Sequence, residues 1–152
     1  MTEVIFALGA NIGDPMVQLQ QAVEALAELV TIQQPSSVYR TAPEGVVEQP
    51  DFFNLVLTAR SELPPHRLLN EALSIEAQIG RIRSFQNAPR PIDIDLIDVG
   101  GAIIDAPELT LPHPRMHQRA FVLVPLAEIA PGWRHPMLER TAAELLELLP
   151  NA

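Results

Sequence analysis

The stretch "IDIDLIDVG" (residues 92–100) places acidic residues inside an apolar run that is typical of a buried strand. Side chains alternate across a strand, so Asp93 and Asp95 are predicted to share one face while Ile92, Ile94 and Leu96 face the core. A rise of about 3.3 Å per residue starts the two carboxylates roughly 6–7 Å apart. If both are ionised, they repel each other by roughly 2–3 kcal/mol at an effective dielectric near 20, and by under about 1 kcal/mol in open water. The pair is therefore either an inexpensive feature of a solvated face or, in a cleft, a site that favours a cation. Asp98 falls outside this alternation and is expected to be an ordinary solvated acid.

The distribution of basic residues favours the cleft interpretation. The chain has no lysine, and five of its arginines lie in one stretch: Arg81, Arg83, Arg90, Arg115 and Arg119. The planar donor fork of arginine suits phosphate oxygens, and same-face carboxylates suit Mg²⁺, which completes its shell with water and phosphate. Acids, magnesium and arginines together are typical of phosphoryl transfer. The alternative is a set of surface ion pairs, each of which contributes little. A Walker A motif is excluded because it requires a lysine.

Length and composition limit the possible classes of protein. The 152 residues predict one domain, 1–152, large enough to bury a core. A net charge of −9 makes binding to nucleic acid or to an anionic membrane surface unexpected. The chain has no cysteine and no apolar run of transmembrane length, so a cytoplasmic location is expected. The sequence does not define the oligomeric state, for which a monomer is the default expectation.

The hydrophobic pattern predicts strands at 4–9, 31–41, 52–61 and 92–101, and helices at 15–29 and 65–80. This β-α-β-β-α-β order is typical of an α+β, ferredoxin-like core, in which helices pack on an antiparallel sheet. Asp14 is a candidate N-cap of the first helix. Residues 102–105 are expected to pair back on the strand at 92–101, and residues 106–119 are expected to be largely irregular. A C-terminal helical extension is predicted at 120–130 and 142–149, with Pro125 placed near a first turn and a Thr141–Glu144 capping box before the second helix.

Several segments in the same order resemble one family. "NAPRPIDIDLI" (87–97) resembles the signature of the 6-hydroxymethyl-7,8-dihydropterin pyrophosphokinases of folate biosynthesis. "ALGANIGDP" (7–15), "SSVYRTAPEG" (36–45), "QPDFFNLV" (49–56), "IEAQIGRIR" (75–83) and "LTLPHPRMHQRAFVLVPLAEIAP" (109–131) are similar to other segments of that family. Any one segment alone is a weak signal, but together they cover nearly the whole chain.

The resemblance implies a reaction and a set of site residues. The reaction moves the pyrophosphoryl group of ATP to the hydroxymethyl oxygen of 6-hydroxymethyl-7,8-dihydropterin and releases AMP, with two Mg²⁺ ions bridged by Asp93 and Asp95 and an in-line displacement at the β-phosphorus. The residues implied in catalysis are Arg81 and Arg90. Those implied in ATP binding are Glu76, Arg83, Arg90, Leu96 (through its backbone), Thr110, His113 and Arg119. Those implied in pterin binding are Thr41, Pro43, Glu44, Phe52, Asn54 and Phe121, with the two phenylalanines on the faces of the ring.

The chain also departs from the family pattern. The loop at 84–89 is shorter than in some members and lacks the tryptophan that covers their active site, and Leu73 stands where a glutamine can contact adenine. Members also occur fused to neighbouring folate enzymes, whereas this chain is expected to hold only the kinase portion. A non-catalytic nucleotide- or pterin-binding domain on the same fold is an alternative, and an acidic scaffold with surface ion pairs is another.

Overall fold

The structure, a computed structural model, describes residues 1–42, 50–80 and 91–150. It is a mixed α/β protein with a main antiparallel sheet. The strands are β1 (Thr2–Ala10), β2 (Thr31–Pro35), β3 (Tyr39–Thr41), β4 (Phe52–Ser61), β5 (Asp93–Val99), β6 (Ile104–Ala106) and β7 (Leu109–Leu111). The helices are α1 (Pro15–Ala27), α2 (Pro65–Gly80), a 3-10 turn (Met116–Gln118), α3 (Ala120–Ile129) and α4 (Ala142–Glu147). Within the described residues, no helix is both long and apolar enough to cross a membrane.

The main sheet has the strand order β2–β4–β1–β5, and β3 also pairs with β4. The edge beside β4 is thus formed first by β2 and then by β3. β1 lies between β4 and β5 and pairs antiparallel with both. This arrangement puts the strand that carries Asp93 and Asp95 next to the strand that begins the chain.

The two faces of the sheet pack against different helices. On one face, Phe6, Leu57 and Ile94 form a core with α1 and α2. On the other face, Ile5 and Val56 pack against α3 and α4. A fully buried leucine or phenylalanine stabilises the fold by about 1.5–3 kcal/mol, so both clusters hold the sheet in place. The second cluster covers only part of its face, and the part left open contains the candidate site.

An extra residue in β5 changes which side chains share that second face. Ile5 pairs with Asp98 and Phe6 pairs with Leu96, so Ile97 has no partner of its own on β1. This β-bulge places Asp98 beside Ile97 on the face that Ile5 occupies. Asp98 is only 3% exposed, and it accepts hydrogen bonds from Trp133 Nε1 at 3.3 Å and from the Gly101 amide at 3.2 Å. The expectation that Asp98 is a solvated acid is therefore wrong, because it assumed a strand without a bulge. Burial raises the pKa of Asp98, and the bonds from Trp133 and Gly101 oppose that rise.

Both predicted helix caps are present. The Asp14 carboxylate accepts a bond from the Val17 amide at 3.3 Å and caps α1. Thr141 and Glu144 form the reciprocal capping box of α4, at 2.9 and 3.2 Å.

Two local predictions are wrong and a third is incomplete. Residues 102–105 do not pair back on β5; instead β6 pairs with β7 in a separate two-stranded sheet. The 106–119 segment is irregular over about half of its length, but it also contains β7 and a 3-10 turn. Pro125 is the sixth residue of α3, not a first-turn residue, and it removes the amide that would bond to the Phe121 carbonyl. Burial of Pro125 with Val122 and Leu126 against the sheet offsets this loss.

Candidate active site

Asp93 and Asp95 lie on the open part of the second face, where β5 pairs with β1. Asp93 is opposite Gly9 and Asp95 is opposite Ala7. Asp93 is exposed and Asp95 is half-buried, whereas Ile92, Ile94 and Leu96 between and beside them are at most 5% exposed. The alternation that the sequence predicted for this part of the strand is confirmed.

Two buried side chains hold the start of β5 in place. The Ile94 amide donates to Glu76 Oε2 at 2.7 Å, from the buried face of α2. Gln18 Nε2 donates to the Pro91 carbonyl at 2.6 Å, from α1. Since both bonds are buried, breaking one would leave a polar group unsatisfied. The strand that aims the two carboxylates is therefore fixed from both helices of the first face.

A cleft of about 670 Å³ opens in front of these carboxylates. It is lined by seven of the residues predicted for the site: Thr41, Phe52, Asn54, Asp93, Asp95, Arg119 and Phe121. Three further lining residues were not predicted for the site: the glycine Gly9 and the polar residues Arg115 and Gln118. Residues far apart in the sequence thus meet in one cleft, at the ends of β4, β1 and β5 and the start of α3.

One end of the cleft combines aromatic rings with an amide. Phe52 begins β4 opposite Thr41, and Asn54 follows on the same face. Asn54 is 7% exposed, and its Nδ2 donates to Thr41 Oγ1 at 3.4 Å. Phe121 remains 38% exposed in the first turn of α3, with the Arg119 guanidinium 5.3 Å from its ring centre. A flat heterocycle with donors and acceptors on its edge fits such a set of groups.

Gly9 separates that end from the carboxylates. It is paired with Asn54 on β4 and with Asp93 on β5. A Cβ atom at position 9 would lie 2.6 Å from Asn54 Oδ1, which is too close for any side chain to be accommodated without moving the amide. A glycine inside a strand commonly marks such a close approach, and this is the signal by which the sequence could have identified Gly9.

Positive charge lies at the other end of the cleft, and a histidine outside its lining interacts with the charged lining residues. The His113 amide donates to the Ile97 carbonyl at 2.9 Å, which ties the segment after β7 to the outer edge of β5. His113 Nδ1 accepts from the Arg115 amide at 3.3 Å, so the neutral ring carries its proton on Nε2. Burial lowers the pKa of His113; Asp95 raises it, while Arg119 and Arg115 lower it further. The ring is therefore a neutral donor at Nε2, beside carboxylates and guanidinium groups.

The remaining predicted residues divide into two groups. Glu76, Leu96, Thr110 and His113 are described but do not line the cleft: Glu76 bonds the β5 backbone, the Leu96 side chain is in the core, and Thr110 lies half-buried on β7. Pro43, Glu44, Arg81, Arg83 and Arg90 lie outside the described residues.

Comparison with known proteins identifies the family of this chain. The family described as 7,8-dihydro-6-hydroxymethylpterin-pyrophosphokinase matches residues 5–131, most of the chain. The chain belongs to this pyrophosphokinase family. The predicted family and its class, a transferase, are confirmed.

Named relatives agree with the family match. The chain is 47% identical over 133 residues to a 2-amino-4-hydroxy-6-hydroxymethyldihydropteridine pyrophosphokinase of Methylorubrum extorquens, covering 86% of this chain and 84% of the relative. A protein of the same name from Synechocystis is 43% identical over 145 residues, covering 94% and 74%. The folic acid synthesis protein FOL1 of Dictyostelium discoideum is 39% identical over 97% of this chain, but the chain spans only 22% of its length.

Solved structures agree on the fold of the pyrophosphokinase family. The HPPK-DHPS protein of Plasmodium falciparum superposes with a TM-score of 0.77 at 14% identity, covering 97% of this chain and 43% of that one. Such low identity supports the fold alone.

Arg115 and Gln118 are the other lining residues that the sequence prediction missed. Arg115 belongs to the arginine cluster noted in the sequence, and it lies in the cleft together with Arg119. Gln118 ends the 3-10 turn between them, and no sequence pattern singles it out. The turn thus presents one amide and two guanidinium groups to the open side of the pyrophosphokinase cleft.

Proposed function

We propose that this chain transfers the pyrophosphoryl group of ATP to the hydroxymethyl oxygen of 6-hydroxymethyl-7,8-dihydropterin, giving the pterin diphosphate and AMP. Both substrates are small molecules. The oxygen that bridges the α- and β-phosphates of ATP leaves with AMP, and the hydroxymethyl oxygen forms the new bond to the β-phosphorus. Its proton leaves to solvent or to a nearby base.

The observation that carries this proposal is the placement of Asn54, Gly9 and Asp93 side by side on three adjacent strands. Neighbouring strands are about 4.8 Å apart, so the amide and the carboxylate are separated by roughly 10 Å across the small residue between them. This span suits a bicyclic ring that is read by Asn54 and stacked by Phe52 and Phe121, with its hydroxymethyl arm directed toward the acids. The pterin contacts implied at Pro43 and Glu44 belong to the same proposal.

We assign Asp93 and Asp95 as the residues that would hold two Mg²⁺ ions. The donors fit the ion, because two carboxylates on one face of an open cleft leave room for water and phosphate oxygens. Among the described residues there is no group of three or more histidine, cysteine or acidic side chains that could hold a metal, so the triphosphate would have to complete the coordination. Bound magnesium would neutralise phosphate charge and favour an in-line geometry.

The positive side chains have a separate part in the proposed reaction. Arg119, in the cleft, and the Nε2 proton of His113 would bind non-bridging phosphate oxygens. The arginines at 81, 83 and 90 would supply further phosphate contacts. Glu76 and Thr110 would contact the nucleoside, as would the Leu96 backbone.

Further features of the protein stay proposals. The order of the four main strands supports a ferredoxin-like core, with residues 1–152 acting as one pyrophosphokinase domain. A cytoplasmic location, a monomeric state and the absence of nucleic acid and membrane partners also stay predictions from the sequence.

The proposed reaction is tested by an assay of AMP release with ATP, Mg²⁺ and 6-hydroxymethyl-7,8-dihydropterin. The expected result is pterin-dependent formation of AMP that stops when EDTA is added. Asp95→Ala should abolish it, whereas Asp105→Ala, a matched change at an exposed acid of β6, should not. Tight pterin binding without AMP release would instead favour a non-catalytic binding domain, and equal rates for Asp95→Ala and wild type would refute the metal assignment.

A further inference from the structure

One carboxylate outside the cleft joins its two walls. Glu128, in the last turn of α3, accepts three hydrogen bonds from the segment that precedes the cleft residue Thr41. Its Oε1 accepts from the Ser37 amide at 3.0 Å and from the Tyr39 hydroxyl at 2.7 Å. Its Oε2 accepts from Ser37 Oγ at 2.8 Å. All three donors are near the surface, yet they converge on a single side chain 89 to 91 residues away in the sequence.

The segment that Glu128 binds is a break in the edge of the sheet. Pro35 of β2 pairs with Leu57, and Tyr39 of β3 pairs with Asn54. The edge advances by four residues, from Pro35 to Tyr39, where β4 advances by three, from Leu57 to Asn54. The edge therefore contains one extra residue. Ser36 anchors the start of this break, since its Oγ accepts from the Val56 amide at 2.9 Å. Glu128 binds the residues that follow.

Besides the bonds to Glu128, β3 is fixed by its pairing with β4 and by an exposed ion pair between Arg40 Nε and Asp51 Oδ2 at 2.8 Å. It is a three-residue edge strand, paired on one side only, and residues 43–49 beyond it are outside the described part of the chain. Short edge strands of this kind contribute few ladder bonds of their own. The position of Thr41 against Asn54 and Phe52 thus depends in part on what holds Ser37 and Tyr39.

The helix that carries Glu128 also carries the opposite wall. Phe121 and Glu128 are seven residues apart, two turns of an α-helix, so they lie on the same side of α3 about 10 Å apart along its axis. Val122, Leu123 and Leu126 on the neighbouring side pack into the second core and fix the helix on the sheet. Glu128 therefore joins a fixed helix to a weakly held strand, on the side that faces the cleft.

We propose that Glu128 is a positioning residue for the pterin site, which sets the spacing between the Thr41 wall of the cleft and Phe121. This inference rests on the proposed function, in that the flat ligand of the cleft is the pterin. Because the hydrogen bonds from Tyr39 and Ser37 lower the pKa of Glu128, the carboxylate stays ionised at neutral pH and keeps all three acceptor contacts.

The first test measures ligand binding by calorimetry for wild type, Glu128→Gln and Glu128→Ala. The probes are a non-hydrolysable ATP analogue with Mg²⁺, and 6-hydroxymethylpterin in its presence. We expect Glu128→Ala to weaken pterin binding about tenfold and to leave the affinity for the ATP analogue unchanged. Glu128→Gln should have a smaller effect, because its amide oxygen can still accept from Ser37 or Tyr39. Glu28→Gln, at an exposed acid that ends α1 on the other face of the sheet, is the matched control and should bind both ligands as wild type does.

Kinetics separate positioning from a general loss of structure. A positioning role predicts a raised KM for the pterin with kcat and the KM for ATP nearly unchanged. If both affinities fall together along with the melting temperature, Glu128 is merely structural and the inference is overturned. It is equally overturned if Glu128→Ala binds the pterin as tightly as wild type.

A second variant and a second measurement do not depend on catalysis. Tyr39→Phe removes one of the three bonds without a change in packing, so it serves if Glu128→Ala fails to fold. Amide hydrogen exchange at 37–41 should become faster in both variants, while that of α1 stays unchanged. Unchanged exchange would refute the role of Glu128 in holding this segment. Failure of the wild type to bind the pterin, with faster exchange in the variants, would instead refute the proposed function.

Discussion

The two ends of one sheet face are built from the same strands but are covered differently. At one end, α3 and α4 bury Ile5, Val56 and Ile97, and a separate surface pocket of about 490 Å³ lies beside them, lined by Trp133 and Asp98 among others. At the other end, the same strands are left open in the cleft of about 670 Å³. Gly9 contributes to this difference because it has no side chain to fill the face, whereas Met116 of the 3-10 turn is fully buried in the cluster with Ile5 and Val56.

Two carboxylates of β5 show the consequence most directly. Asp95 and Asp98 are three residues apart and point to the same face because of the bulge at Ile97. Asp95 lines an open cleft beside Arg119, whereas Asp98 has its acceptor capacity used by Trp133 and Gly101. Two acids on one strand thus differ in role: Asp95 is accessible to a ligand, and Asp98 stabilises the fold.

The largest expected effect comes from exchanging these two acids for amides. Asp95→Asn should lower the rate of AMP formation by about 10²- to 10³-fold, a loss comparable to that of removing one preorganised group that stabilises charge in a transition state. Its melting temperature should not fall, because one of two like charges has been removed. Asp98→Asn is the matched variant, and its activity should stay close to wild type. A large loss of activity in Asp98→Asn, with the fold intact by circular dichroism, would break the distinction between the two ends.

The next effect concerns the residue that keeps the cleft open. Gly9→Ala places a Cβ where only 2.6 Å separates it from Asn54 Oδ1. Since Asn54 is buried and bonded to Thr41, its amide must move, and pterin affinity should fall about ten- to a hundredfold, equivalent to roughly 1.4–2.7 kcal/mol. Calorimetry should show that the ATP analogue still binds. Gly132→Ala is the control, because no atom lies within 4 Å of the position that its Cβ would occupy and its backbone is not left-handed; equal pterin binding by both variants would contradict the assigned role of Gly9.

Sequence periodicity predicted the site where the strand is regular and misled where it is not. The alternation of Ile92 to Leu96 placed Asp93 and Asp95 on one face. Phe52, Asn54 and Phe121 came from the family resemblance, and they line the same cleft. Hydrophobic pattern records which residues are apolar, but it does not record the register between strands. The bulge that buries Asp98 is a property of the pairing with β1, so the sequence of β5 alone could not reveal it.

Other missed features have the same origin. Ile104 was expected to pair back on β5. The chain does turn tightly after β5, through Gly100 and Gly101 at φ values of 58° and 75°, but the strand that contains Ile104 pairs with β7 instead. Glu128 was not singled out at all, since an exposed acid on a helix has no pattern of its own. Its significance depends on donors about 90 residues away, which only the tertiary structure brings together.

A smaller effect is expected at the end of the sheet face that α3 and α4 cover. Trp133→Phe keeps an aromatic ring but removes the N–H donor to Asp98, so it should lower the free energy of unfolding by about 1–2 kcal/mol. Urea denaturation followed by circular dichroism measures this loss. Activity should be unchanged, since Trp133 does not line the cleft. A drop in activity greater than the drop in stability would show that the two ends are coupled.

The smallest effect is a pH dependence of stability that arises at the end of the sheet face that α3 and α4 cover. His135 is 4% exposed, and burial lowers its pKa, to which the nearby His117 contributes. Its Nδ1 accepts from the Met137 and Leu138 amides, both at 3.1 Å, so the folded protein favours the neutral ring. A histidine whose pKa is lower in the folded state binds a proton more readily when unfolded, and stability is therefore lost as the pH falls below its ordinary value of about 6.5.

The urea concentration at the unfolding midpoint should accordingly decrease as the pH is lowered from about 7.5 to about 5.5. His135→Asn should reduce that fall, because the asparagine oxygen can accept the same two amides without titrating. The fall should not vanish, since burial lowers the pKa of His113 in the same direction. If His135→Asn lost as much stability in acid as wild type, the acid sensitivity would belong to the cleft end of the face, where His113 lies.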